Sequence, residues 1–199
     1  MKQKLSLICI LIIISLSTNA QRLGVKAGLS LAKANYEYTG TSISTSNLVG
    51  FQGGLIGEIP ISEDLFLNSG VLFIQKGTKL SLMGLDVKFP INSIEIPLNL
   101  AYKYDMGGLK LFGQIGPYLG VGLSAKMEGG GEVETIDFGT EIDQMKRIDI
   151  GANFGGGIEI NKVQLGISYG LGLTNLSNDP DESLKNGALS ISLGVMFGE

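Results

Sequence analysis

Residues 163–173 read VQLGISYGLGL. Val163, Leu165, Ile167, Tyr169, Leu171 and Leu173 are large and apolar, while Gln164, Gly166, Ser168, Gly170 and Gly172 between them are small or polar. Strict alternation over this length is a β-strand with unlike faces, because successive side chains of a strand point to opposite sides. The bulk lies on the apolar face; the other offers little beyond glycine, serine and an occasional charge. The same pattern recurs over 22–34, 48–60, 64–76, 92–104, 108–124, 147–160 and 187–198, with no useful amphipathic helix between. In 92–104, Ile94, Ile96, Leu98, Leu100, Tyr102 and Tyr104 oppose Glu95, Asn99 and Lys103.

The connections alternate in length. Residues 61–63, 105–107 and 161–162 are tight turns, whereas 35–47, 77–91, 125–146 and 174–186 are long. An even number of antiparallel strands, with short turns at one end and long loops at the other, is the layout of an outer-membrane barrel. Each segment also reaches the ~9–11 residues that cross a bilayer at a tilt. A soluble sandwich or lipocalin-like barrel is the rival, but its outward face would carry charge. Here the small, polar face suits a narrow lumen, and the apolar face can stay exposed where the solvent is lipid. A closed ring further leaves no backbone group unpaired in hydrocarbon. The pattern therefore predicts an all-β, eight-stranded antiparallel up-and-down transmembrane β-barrel.

The first twenty residues, MKQKLSLICILIIISLSTNA, combine two lysines, an apolar run and a small polar end. This is the layout of a secretory signal peptide, with cleavage expected between Ala20 and Gln21, which leaves residues 21–199 as one barrel domain. The apolar run is shorter than the ~20 residues of a spanning helix. Cys9 lies inside that run instead of after it, which argues against a lipid-anchored cysteine.

Composition limits the chemistry. The net charge is −4, and loss of the leader removes two lysines and no acid, so a nucleic-acid partner is not expected. The chain has no histidine, and its one cysteine departs with the leader. Histidine-based acid–base catalysis and soft-metal sites are then without their residues, and neither enzyme activity, cofactor nor metal is expected. NDPDESLKNG (178–187) resembles a calcium loop only in its acids: counting from Asp179, Leu184 stands where glycine is needed and Ser190 where glutamate is needed. Glu132, Glu134, Asp137, Glu141 and Asp143 read as the solvated face of a glycine-rich loop.

An even strand number places both termini on the short-turn side, the periplasm, with the long loops outside. Lys26, Glu58, Lys103, Lys110 and Glu159 then fall in the periplasmic half of the lumen, and Glu95 and Asp149 in the outer half. Buried charges need partners, so these residues are expected to form an interlocked network that fills the barrel, in preference to an ion or proton path. Tyr102, Tyr104 and Phe197 fall at the periplasmic rim, and Tyr36, Tyr38, Phe51 and Phe73 toward the outer rim, where aromatic girdles form.

The stretches LGVKAGLSLA (23–32), SIEIPLNLAYKY (93–104), GQIGPYLGVGLSAK (113–126) and YGLGLTNL (169–176) also resemble the PorT-like outer-membrane β-barrel family of Bacteroidetes-type bacteria, in order along the predicted barrel domain. The resemblance implies an eight-stranded barrel, in a family whose namesake serves a protein-secretion system. Barrels of this kind often end on an aromatic residue read by the assembly machinery; here Gly198 and Glu199 follow Phe197. The expected partners are outer-membrane lipid and lipopolysaccharide, the barrel-assembly machinery and an unidentified envelope protein. The expected role is that of a non-enzymatic envelope structural or interaction protein. Accessory service in a secretion or transport assembly and small-solute passage are the alternatives.

Overall fold

The computed structural model describes residues 21–43, 45–82 and 85–198; the expected signal peptide, Ala20 included, lies outside them. The strands are β1 (Arg22–Ala32), β2 (Asn35–Tyr38), β3 (Thr41–Ile43), β4 (Leu48–Pro60), β5 (Leu65–Leu82), β6 (Leu85–Asp105), β7 (Leu109–Gly129), β8 (Glu132–Ile136), β9 (Ile148–Ile160), β10 (Val163–Gly172), β11 (Glu182–Lys185) and β12 (Gly187–Phe197). Eight of them, β1, β4, β5, β6, β7, β9, β10 and β12, pair antiparallel with their neighbours in that order. The ring closes where β12 returns to β1, with Leu23 opposite Phe197 and Ala32 opposite Ala188.

Burial is inverted relative to a soluble protein. Leu29, Val49, Leu55 and Ile115 are each at least 60% exposed, whereas Glu58, Lys103 and Glu159 are at most 3% exposed. An apolar exterior around a charged interior is stable only in a solvent of acyl chains. Closure satisfies the backbone there, since an unpaired amide in hydrocarbon costs several kcal/mol.

The long connections are not the loops expected. β5, β6 and β7 contain 18, 21 and 21 residues, about twice the ~9–11 needed to cross. The expected loop 77–91 is mostly the β5–β6 hairpin, paired out to Leu82 opposite Leu85. β7 continues through 125–129 and pairs with β8, while β11, β2 and β3 build a separate three-stranded sheet from the other two connections. Alternation fades in these segments because neither face of a strand beyond the bilayer is committed to lipid.

These parts form a cap over one end of the barrel; the tight turns lie at the other. A register shift prepares its floor. Ser93 faces Gly122 and Asn92 faces Ser124, so Leu123 is an extra residue and the faces of β7 exchange beyond it. Ala125 consequently turns inward beside Ile91, and with Met145 and Leu176 they make a buried apolar core supported by Ile136, Phe138 and Leu184.

Candidate functional site

The lumen is filled by two ionic clusters. Near the tight turns, β1 supplies Arg22, β4 Glu58, β6 Lys103 and β9 Glu159. Arg22 Nη1 lies 3.0 Å from Glu58 Oε2 and Nη2 lies 2.7 Å from Glu159 Oε1. Lys103 Nζ lies 2.5 Å from Glu58 Oε1 and 2.6 Å from Glu159 Oε2. Each carboxylate oxygen thus faces one cation, and two positive charges balance two negative ones. Gln164 Nε2 also donates to Glu159 Oε2 at 2.9 Å. Such mutual satisfaction is what allows charges to remain buried.

Nearer the cap, Lys76 on β5 pairs with Glu95 on β6 and lies 3.7 Å from Asp149 on β9. Lys76 Nζ donates to the Tyr118 hydroxyl at 3.2 Å, and that hydroxyl donates to Asp149 Oδ2 at 3.1 Å. The ammonium also sits 4.2 Å from the Tyr118 ring centroid, a favourable cation–π position. The ring can lie there because Gly151 beside it has no Cβ; one would come within 2.4 Å of Tyr118 Cε1. Between the clusters are polar cavities of about 60 and 40 Å³, large enough for a few water molecules. Lys26 lines both, and among the described residues it pairs with no carboxylate within 4.0 Å.

The sequence-predicted residues therefore divide. Glu58, Lys103 and Glu159 meet in one cluster, and Glu95 and Asp149 in the other. Lys26 stands between them. Lys110 is outside both: it lies 3.7 Å from Asp105, its register partner across the β6–β7 turn, with its side chain 41% exposed. Sequence reading missed Arg22 and Lys76, which stand at the ends of their predicted segments. Both lie on the lumen-facing parity of their strands, which is the signal that marks them.

The aromatic residues divide as well. Tyr102, Tyr104 and Phe197 are exposed at the turn end, and Phe51 and Phe73 stack on the wall with centroids 5.2 Å apart. Tyr36 and Tyr38 are not on the wall; they belong to β2 in the cap sheet. The Tyr36 hydroxyl donates to Glu182 Oε1 at 2.7 Å. Burial and that carboxylate push its phenol up to about 12.

The cap also holds a half-open cavity of about 270 Å³. Ile91, Met145, Leu176 and Leu184 form part of its lining, with Tyr36 and Glu182 at one side. Asn178 Nδ2 holds the neighbouring loop through the carbonyls of Gly139, Glu141 and Gln144, at 3.0, 3.1 and 3.0 Å. In the expected non-calcium loop, Asp179 Oδ1 accepts from the Asp181 amide at 2.9 Å and so caps a turn. Glu132 and Glu134 lie on β8 and not in a loop, and with Asp137, Glu141 and Asp143 they are exposed.

A closed antiparallel ring with an apolar exterior and an ion-paired interior defines an integral outer-membrane β-barrel protein. The chain belongs to the family described as outer membrane protein beta-barrel domain, whose model matches residues 17–178. Neisserial surface protein A is similar in fold, with a TM-score of 0.52 at 19% identity over 88% of this chain and 97% of that one. OprG of Pseudomonas aeruginosa has a TM-score of 0.52 at 11% identity, over 91% of this chain and 98% of that one. No curated protein is detectably similar to the chain.

Proposed function

We propose that this is a non-enzymatic barrel that works through its cap, held outside the cell, where it recognises an envelope component or external partner. The observation that carries this is the ordered cap itself: three of the four long connections share one apolar core, and the fourth, 35–47, is tied to them by the hydrogen bonds of Tyr36 to Glu182 and of Thr78 to the Ser46 carbonyl. Disposable loops would have no need of either. The lumen clusters serve to hold the wall together and close the passage: ion pairs cross the lumen at two levels, and the cavities between them are small.

Both termini are periplasmic in this scheme, and Ala20–Gln21 is the export cleavage site. Tyr102, Tyr104 and Phe197 act as interfacial anchors, with outer-membrane lipid, lipopolysaccharide and the barrel-assembly machinery as general partners. The PorT-like character rests on the four stretches quoted above. They favour a second reading, an accessory role in a protein-secretion assembly, exercised through the wall or the tight turns.

Photo-crosslinking in native outer membranes separates the two. A photoreactive residue at Tyr38 samples the cap, and one at Tyr104 samples the turn end. Reproducible capture of one envelope component from Tyr38 alone supports recognition by the cap; capture from Tyr104 alone supports the assembly role. Purified protein in planar bilayers is expected to be silent, and steady conductance would overturn the closed-lumen scheme.

A further inference from the structure

The cap cavity sits directly above the inner ionic cluster. Ile91, part of its lining, is the register partner of Lys76, and Thr78 lines it two residues beyond Lys76 on β5. Lys76, Glu95 and Asp149 themselves do not line it; the side nearest them is formed by Ile91 and Thr78.

The polar atoms of the lining are largely engaged with one another. Glu182 Oε1 accepts from Tyr36, and Oε2 accepts from Ser177 Oγ at 2.9 Å. Thr45 Oγ1 donates to the Ala34 carbonyl at 2.8 Å, and Thr78 Oγ1 to the Ser46 carbonyl at 3.2 Å. What remains for a ligand is mainly carbon surface. Its charge is uneven: one cation, Lys126, against two carboxylates, Asp143 and Glu182. An anionic headgroup would enter a net negative chamber of low polarity, which is costly. The cavity, about 270 Å³, exceeds the ~150 Å³ apolar cavity known to admit benzene.

From the volume, the carbon lining and this charge balance, we propose that the cap cavity binds a small, neutral, apolar molecule of about two fused rings or the equivalent short chain. The inference deepens, and rests on, the assignment of recognition to the cap; it names the ligand class.

Naphthol and naphthoate provide the test, since they share a ring system and differ in charge at neutral pH. The full-length mature protein, with carbon-13 methionine methyls and in lipid nanodiscs, is titrated with each. Met145 lines the cavity, Met196 is buried in the lumen and Met106 is exposed at the turn end. Naphthol is expected to move the Met145 resonance saturably and leave Met106 in place, with naphthoate about tenfold weaker. Leu184→Trp, which fills the cavity, should abolish the response, and Leu184→Ala should retain it. If Leu184→Trp unfolds the cap, seen as loss of Met145 dispersion with Met196 unchanged, Ala34→Leu fills the same space from between β1 and β2.

A silent Met145, parallel linear shifts of Met145 and Met106, or equal affinity for naphthoate would each overturn the proposal. Failure here with Tyr38 crosslinking intact removes the ligand class alone. Failure of the Tyr38 crosslinking, or conductance in bilayers, removes the broader scheme whatever naphthol does.

Discussion

Lys103 and Glu159 meet at 2.6 Å although 56 residues separate them in the chain, and each also contacts a member of the opposite pair: Lys103 reaches Glu58, and Glu159 reaches Arg22. Four strands are thereby tied across the lumen near the tight turns. Removing one charge exposes the others to a medium that solvates them poorly.

Lys103→Met should therefore destabilise the barrel by about 3–5 kcal/mol, the usual cost of orphaning a buried charge. Urea unfolding in lipid vesicles, or the temperature at which the compact gel band converts to the extended one, reads this directly. Adding Glu58→Gln should restore part of the loss, because one orphaned carboxylate is then neutralised. A cost below about 1 kcal/mol, the range of an exposed ion pair, would contradict the network.

Gly116 and Gly113 make a controlled pair on β7. A Cβ at Gly116 would lie 2.0 Å from the Leu98 carbonyl oxygen and 2.7 Å from Asn99 Cα, whereas one at Gly113 meets nothing within 4 Å. Gly116→Ala must push two backbones apart and is expected to cost about 1–3 kcal/mol. Gly113→Ala should stay within about 0.5 kcal/mol. The same unfolding assay distinguishes them, and equal effects would refute the β6–β7 register.

The Tyr36 phenol, pushed up to about 12 in the folded cap from an ordinary value of 10.0, gives a pH dependence with a definite sign. The folded form holds its proton more tightly, so its contribution is complete below pH 10 and is lost as pH rises through about 12. The cap should therefore loosen over that interval. Limited proteolysis at stepped pH measures it, and Tyr36→Phe should remove the step.

Asn178 is the clasp of the cap loops. With two amide hydrogens shared among three carbonyls, Asn178→Ala should cost about 1–2 kcal/mol locally. Hydrogen exchange is expected to quicken around 139–144 while amides of the barrel strands keep their protection. Uniform loss of protection would show that cap and barrel unfold as one unit.

The wall was legible in the sequence and the cap was not, for one physical reason. Segment 48–60 coincides with β4, and 163–173 runs one residue beyond β10, because lipid on one side and a narrow lumen on the other impose alternation at every position. Beyond the bilayer that constraint lapses, and β5, β6 and β7 run on through residues expected to be loop. The inserted Leu123 then reverses the faces of β7, so parity carried forward from the wall misplaces Ala125. In the lumen, strand parity put five of the seven chosen charges into the two clusters. It could not show that Lys110 would fold back toward Asp105, since that depends on the turn.

The pairing of β1 with β12 carries a consequence for biogenesis. The seam joins the opening and closing stretches of the barrel, so every shorter fragment has two open edges that hydrocarbon cannot satisfy. Unaided insertion strand by strand would therefore be costly. The other barrel pairings join strands that are neighbours in the chain, but the seam joins strands from its two ends, so closure waits for the last strand to be delivered, a step made slow by its long sequence separation.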